Sequence, residues 1–240
     1  MMRLDKYLAE RTGMTRSESR KAVTKGRVSI DGAVCRKADT QLDEHTAAVA
    51  LDSVPLAGAY RKFVYIMLNK PEGVVSASRD KQDTTVVDLV AADFPRRELF
   101  PAGRLDKTST GFVLLTDDGA LLHRIVSPKS KLAKVYEATL AQDLRGDEAA
   151  LFASGTLMLE SETSPLLAAE LEELGPRQAQ LTLHEGRYHQ VRRMFAATGN
   201  HVLALHRPRV GGLELGGLEP GQWRALDASD LARLFNAGGD

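Results

Sequence analysis

Leu4, Tyr7 and Leu8 recur at helical spacing across residues 3–11, and Gly13 stops that helix. Thr15 with Glu18 three residues on has the form of a capping box, so a second helix is expected over 16–25, ended by Gly26. The period then drops to two. Val28-Ser29-Ile30 alternates into an Asp31-Gly32 turn, and Ala33-Val34-Cys35 returns from it. Residues 1–49 thus read as a small module of two helices and a hairpin. Residues 50–61, mixed in character around Pro55 and Gly58, are expected to be a linker.

From residue 62 to 240 the pattern predicts a second domain. Strands are expected at 63–68 and 74–76, and a helix at 84–92 with Val86, Val87, Leu89 and Val90 on its apolar face. The run 112–115 has strand composition, and Asp117-Asp118-Gly119 opens a helix to about 126. Residues 134–140 alternate cleanly. A helix near 146–154 follows, then strands near 156–160, 165–173 and 178–184. A helix at 189–198, strands at 201–206 and 223–226 and a closing helix capped by Ser229 complete the chain. Strands outnumber helices without alternating with them one for one. The expected class is α+β, a small N-terminal module plus a domain with a mostly antiparallel mixed sheet flanked by helices.

The 32 basic and 32 acidic side chains cancel, but they are unevenly spread. Residues 1–37 hold ten Lys/Arg against four Asp/Glu, residues 142–185 two against nine, and residues 186–209 five Arg and no acid. Two basic segments around an acidic one suit a polyanion gripped at two places. On the second helix Arg16 and Arg20, and Lys21 and Lys25, are four apart, so cations gather on one short helix. One cysteine, Cys35, allows no internal disulfide, and the charged N-terminus is no signal peptide; a cytoplasmic protein without a membrane span is expected.

The stretch 101–111, Pro-Ala-Gly-Arg-Leu-Asp-Lys-Thr-Ser-Thr-Gly, sets a carboxylate, Asp106, in a loop anchored by the strand after it. Asp and Gly are ordinary turn residues, so this loop alone does not establish chemistry. The chain has no P-loop, no dinucleotide-type glycine pattern, no cysteine cluster and no H-E-x-x-H, so no metal or cofactor is expected. The histidines read as surface or packing residues, with RNA contact as the lesser reading.

Residues 2–49 resemble the alpha-L RNA-binding motif, which implies contact with structured RNA through Arg16, Arg20, Lys21, Lys25 and Arg27. The stretches LNKPEGVV, AGRLDKTSTGFVLLTDDG, KVYEATL and EGRYHQVRRMFAATGNHVLALHRPRVGG resemble, in order and rough spacing, the pseudouridine synthases that modify ribosomal RNA. Together the two resemblances cover nearly the whole chain. They imply isomerisation of one uridine, in 16S rRNA or a partly assembled small subunit, by a monomer without cofactor. Asp106 would be the catalytic carboxylate and Tyr136 the ring against the target base. Arg192 would be the cation beside Asp106, with Arg193 the alternative or an RNA contact. Arg104 would fill the gap left by a flipped uridine. A sibling acting on 23S rRNA, a non-catalytic assembly factor and a carboxylate hydrolase of RNA bases are the competing readings. The absence of a long basic C-terminal tail favours the small subunit.

Overall fold

The computed structural model describes residues 1–56, 62–95, 97–127 and 130–236. It divides into two compact units, Met1–Lys62 with Phe94–Arg97, and Phe63–Asp93 with Glu98–Asp240.

In the first unit β1 (Met2–Arg3) leads into α1 (Leu4–Thr12), which ends at Gly13 in left-handed backbone (φ 72°). α2 (Arg16–Thr24) starts on the expected box. The Thr15 hydroxyl accepts from the Glu18 N–H at 3.1 Å, and the Glu18 carboxylate accepts from the Thr15 N–H at 2.6 Å. Five short strands follow: β2 (Val28–Ile30), β3 (Ala33–Cys35), β4 (Gln41–Leu42), β5 (Val49–Leu51) and β6 (Val54–Pro55). β4 pairs with β1, and the others form an antiparallel sheet in the order β3-β2-β5-β6. Leu4, Tyr7, Leu8, Ala22, Val23, Val28, Leu42 and Val49 make its core.

The expected linker, 50–61, needs correction at its start. Residues 50–55 complete this sheet, because Asp52 and Ser53 adopt left-handed backbone (φ 50° and 68°) and turn β5 back into β6. Residues 57–61 lie outside the described residues.

The second unit begins with β7 (Tyr65–Lys70), a single 3-10 turn at Asp88–Val90, β8 (Phe100–Pro101) and β9 (Thr110–Thr116). α3 (Gly119–Val126), β10 (Lys134–Leu140), α4 (Glu148–Ala153), β11 (Glu170–Gly175) and β12 (Gln178–Leu183) come next. α5 (Gln190–Ala197), β13 (Val202–Val210), β14 (Leu213–Glu214), β15 (Trp223–Ala225) and α6 (Ala228–Phe235) complete it. Among the described residues the strands form a nine-stranded sheet, ordered β11-β12-β10-β13-β9-β7-β15, with β14 on β13 and β8 on β9. The β9–β13 pairing is parallel and the other pairings in the sheet are antiparallel, so the domain is α+β.

At that parallel junction Gly111 lies opposite Arg207. Its backbone is left-handed (φ 112°), and a Cβ there would stand 2.4 Å from the Arg207 carbonyl oxygen. Only glycine lets the two strands pass this closely.

Several expected elements differ. Residues 84–92 make one 3-10 turn instead of a helix: Thr85 and Asp88 form a reciprocal box like the one that opens α2 (Thr85 N–H to the Asp88 carboxylate 2.8 Å, Asp88 N–H to the Thr85 hydroxyl 3.1 Å), but the bonds after it reach back only three residues, from the Val90 N–H to the Val87 carbonyl and from the Ala91 N–H to the Asp88 carbonyl. Thr85 also forms an isolated bridge with Val75, all that residues 74–76 contribute to a strand pairing. Residues 156–169 are irregular, where strands were expected. Their polar groups bind side chains from the start of α5, described below. Finally, α6 is capped by Asp227 in a box with Asp230, and Ser229 donates to that Asp227 carboxylate at 2.7 Å.

Candidate active site

β9 supplies the rigid support for the loop that carries Asp106. Phe100 and Pro101 pair with Thr116 and Leu115, and the Ala102 N–H donates to the Leu114 carbonyl at 2.7 Å. On the other side the loop is clamped by residues 70–76. The Ser76 hydroxyl accepts from the Leu105 N–H (3.0 Å) and donates to the Leu105 carbonyl (2.9 Å). The Gly73 N–H donates to the Lys107 carbonyl at 2.8 Å. The backbone is therefore fixed immediately before and after Asp106.

Beneath it lies Lys70, fully buried, its ammonium donating to the carbonyls of Pro71 (2.9 Å) and Lys107 (3.3 Å). Burial pushes this amine down to about 8, while the negative charge of Asp106 pulls in the opposite direction.

α5 and the residue before it bring the nitrogen partners. Arg192 Nε stands 3.8 Å from Asp106 Oδ2, and the same guanidinium donates to the Val202 carbonyl (2.8 Å) and the Thr108 hydroxyl (3.2 Å). His189 Nε2 is 3.2 Å from Asp106 Oδ1. His189 itself sits in left-handed backbone (φ 49°) at the N-terminus of α5, with its imidazole stacked on the Tyr188 ring at 3.9 Å. The carboxylate thus has one nitrogen partner on each oxygen, and all three side chains stay partly open to solvent.

Arg193 turns elsewhere. Its guanidinium pairs with Glu162 at 2.6 Å and donates to the carbonyls of Glu160 and Tyr188. Arg187 joins it, donating to Glu162 (2.9 Å) and to the carbonyls of Ser164 (2.9 Å) and Pro165 (2.6 Å). The two arginines staple the irregular segment 156–169 to the start of α5 and take over the role of strand pairing. Of the two adjacent arginines, the structure brings Arg192 to Asp106 and commits Arg193 to this staple. Arg193, expected as an alternative partner of Asp106 or as an RNA contact, is thus paired with Glu162 and stays partly exposed.

Tyr136 is nearly buried on β10, where the ladder to β13 is irregular. Arg207, itself buried, donates to the Tyr136 hydroxyl at 3.2 Å and to the Phe112 carbonyl at 2.9 and 2.7 Å. Its guanidinium carbon is 5.7 Å from the Tyr136 ring centre. Burial and the charge of Arg207 push the nearby Lys134 amine down to about 8.

The remaining sequence candidates divide by location. Arg104 is exposed in the Asp106 loop. In the other unit Arg16 and Arg20 both donate to the buried Asp5 carboxylate (2.8 and 2.9 Å), which Arg3 also contacts. These three guanidiniums hold Asp5 well below the usual carboxylate range, although burial opposes them. Arg16 and Arg20 remain about half exposed. Lys21, Lys25 and Arg27 border a groove beside Thr12, Gly13 and Met14, and Arg27 is also paired with Asp52.

The sequence reading missed Lys70, His189 and Arg207. A lysine directly before a proline at the end of an apolar run was the available signal for the first. His189 and Arg207 gave none, because their roles depend on a left-handed turn and on a parallel strand junction that periodicity does not reveal.

Residues 64–197 match the family described as RNA pseudouridylate synthase, and residues 2–46 match the S4 domain. The chain is 44% identical to the ribosomal small subunit pseudouridine synthase A of Escherichia coli K12, over 97% of this chain and all of that one. It is 41% identical to the protein of the same name from Haemophilus influenzae, over 97% and 99%. A crystal structure titled as a pseudouridylate synthase superposes with a TM-score of 0.68 at 39% identity, covering 98% of this chain and all of that one.

Proposed function

We propose, from the premise that this chain belongs to the RNA pseudouridylate synthases, that it converts one uridine of small-subunit ribosomal RNA to pseudouridine. The single observation that carries the site assignment is Asp106, fixed on a clamped loop with nitrogen partners on both oxygens.

The reaction is an isomerisation. The bond from ribose to the uracil nitrogen breaks, the ring turns, the ribose joins a ring carbon, that carbon gives up its proton and the freed nitrogen ends with one, so no atom is gained or lost. Asp106 acts as the nucleophile, at the ribose or at the ring. Arg192 faces the carboxylate at 3.8 Å and aims it. Tyr136, held by Arg207, packs against the target base, and Arg104 enters the space the base leaves in its stack. The N-terminal unit supplies phosphate contacts through Arg16, Arg20, Lys21, Lys25 and Arg27, which add affinity without reading sequence. The substrate is the RNA or the partly assembled subunit, and the enzyme acts as a single chain. Among the described residues no helix is long and apolar enough to cross a membrane.

The test is a map of pseudouridine across both large ribosomal RNAs in cells with and without the gene. Loss of one site in the small-subunit RNA is the expected result. Loss in the large-subunit RNA, or no loss at all, overturns the substrate assignment.

A second test separates the adjacent arginines. Arg192→Met is expected to lower the single-turnover rate on the order of 100-fold or more, beyond the stability lost with its bonds to Val202 and Thr108. Arg193→Met is expected to act mainly on stability. It removes charged hydrogen bonds that contribute about 1.5–3 kcal/mol each, a fall of several degrees in Tm at this size. The reverse pattern would show that the wrong arginine has been assigned to Asp106.

A further inference from the structure

The turn before α5 carries an aromatic ring that the proposed chemistry leaves unused. Tyr188 is 77% exposed. A ring this open is kept for contact with something outside the protein when its backbone is also held still, and here it is. The Arg193 guanidinium donates to the Tyr188 carbonyl at 3.2 Å, and the Arg187 N–H donates to the Gln190 side chain at 2.8 Å. The Arg187 side chain anchors the same turn to Ser164 and Pro165. One side of the Tyr188 ring lies on the His189 imidazole, centres 3.9 Å apart and planes 16° from parallel. That imidazole is the one that meets Asp106 at 3.2 Å.

We propose that the outer face of Tyr188 is a stacking subsite for the unpaired base next to the target uridine. This rests on the reading of the protein as an RNA pseudouridylate synthase. The order of layers is then base, Tyr188, His189, Asp106. A nucleobase suits the site because single-stranded RNA is recognised by stacking unpaired bases on aromatic rings. The neighbouring nucleotide suits it better than the target, because the imidazole already separates the Tyr188 ring from the carboxylate that must reach the target. The left-handed backbone at His189 carries strain of the kind that collects at functional sites, and it directs the imidazole between the two.

The test uses the full-length enzyme and a small-subunit RNA fragment containing the mapped site, intact or with an abasic residue on the 5′ or the 3′ side of the target. Single-turnover kcat/KM is measured for wild type, Tyr188→Ala and Tyr188→Phe. Tyr188→Ala is expected to lose on the order of 5- to 150-fold on intact RNA, as stacked bases usually do when the ring is removed. Tyr188→Phe is expected to stay within about twofold, since the face is kept. At one flanking position the abasic RNA should slow wild type by a similar factor and slow Tyr188→Ala no further. The proposal is overturned if Tyr188→Ala matches wild type, if neither abasic RNA slows wild type, or if the alanine penalty is the same on all three RNAs. If wild type forms no pseudouridine in intact RNA, the functional reading itself fails.

Discussion

Asp106→Asn enzyme is expected to bind RNA with near-native affinity and to form pseudouridine on the order of 10⁴-fold more slowly or worse. The amide keeps the volume of the carboxylate but not its nucleophilic charge. The loop should survive the exchange, because its anchors are backbone contacts on either side: Leu105 with Ser76, and Lys107 with Gly73 and Lys70. His189 and Arg192 would each face a neutral group instead of an anion, a change confined to a partly solvated site. The measurement is product formed under single turnover by purified protein, alongside RNA binding and a thermal melt. Turnover within about 100-fold of wild type by folded Asp106→Asn protein would remove Asp106 from the centre of the mechanism.

Gly111→Ala is expected to cost roughly 3 kcal/mol or more in stability. The new methyl would meet Arg207 main-chain atoms at 2.4 and 2.5 Å, which no rotamer change relieves, in a backbone conformation that L side chains rarely adopt. The damage should also reach the site. Pushing Arg207 away from β9 loosens its guanidinium from the Phe112 carbonyl and hence from the Tyr136 hydroxyl. Denaturant unfolding monitored for the second unit gives the stability loss, and activity per folded molecule gives the effect on Tyr136. A variant within 1 kcal/mol of wild type would show that the junction can spread at little cost.

The capping chemistry was the most legible part of the sequence. Thr15 with Glu18, and Asp118 before α3, act over three or four residues, so local residues decide the outcome. The alternation of 134–140 was equally clear, since both faces of β10 are set by the same sheet. The misses arise where something other than the local hydrophobic pattern decides the backbone. Residues 156–169 carry strand-like alternation, but Arg187 and Arg193 bind the segment's carbonyls and so replace a partner strand. Residues 84–92 carry a helical apolar face and a Thr85–Asp88 box that could open a helix, yet Thr85 is drawn into a bridge with Val75 and the bonds that follow reach back only three residues. Asp106 and Arg192 could be singled out through the motifs that resemble a family. No local pattern places His189 over the same carboxylate, because its imidazole is aimed by a single left-handed residue.

The order in which the chain is made has a bearing on the β9–β13 junction. Thr110 meets His206 at 2.9 Å and Phe112 meets Arg207, contacts that close loops of 96 and 95 residues. Closure of loops this long is an entropic cost met before any contact in them is gained, and it slows folding. During synthesis the Asp106 loop emerges long before α5 and β13 exist to complete it. A nascent or truncated chain that stops before α5 therefore has the carboxylate on its clamped loop without His189 and Arg192 beside it. The partners of Asp106 and Tyr136 are thus brought to them only when the last third of the polypeptide has folded back beside the middle.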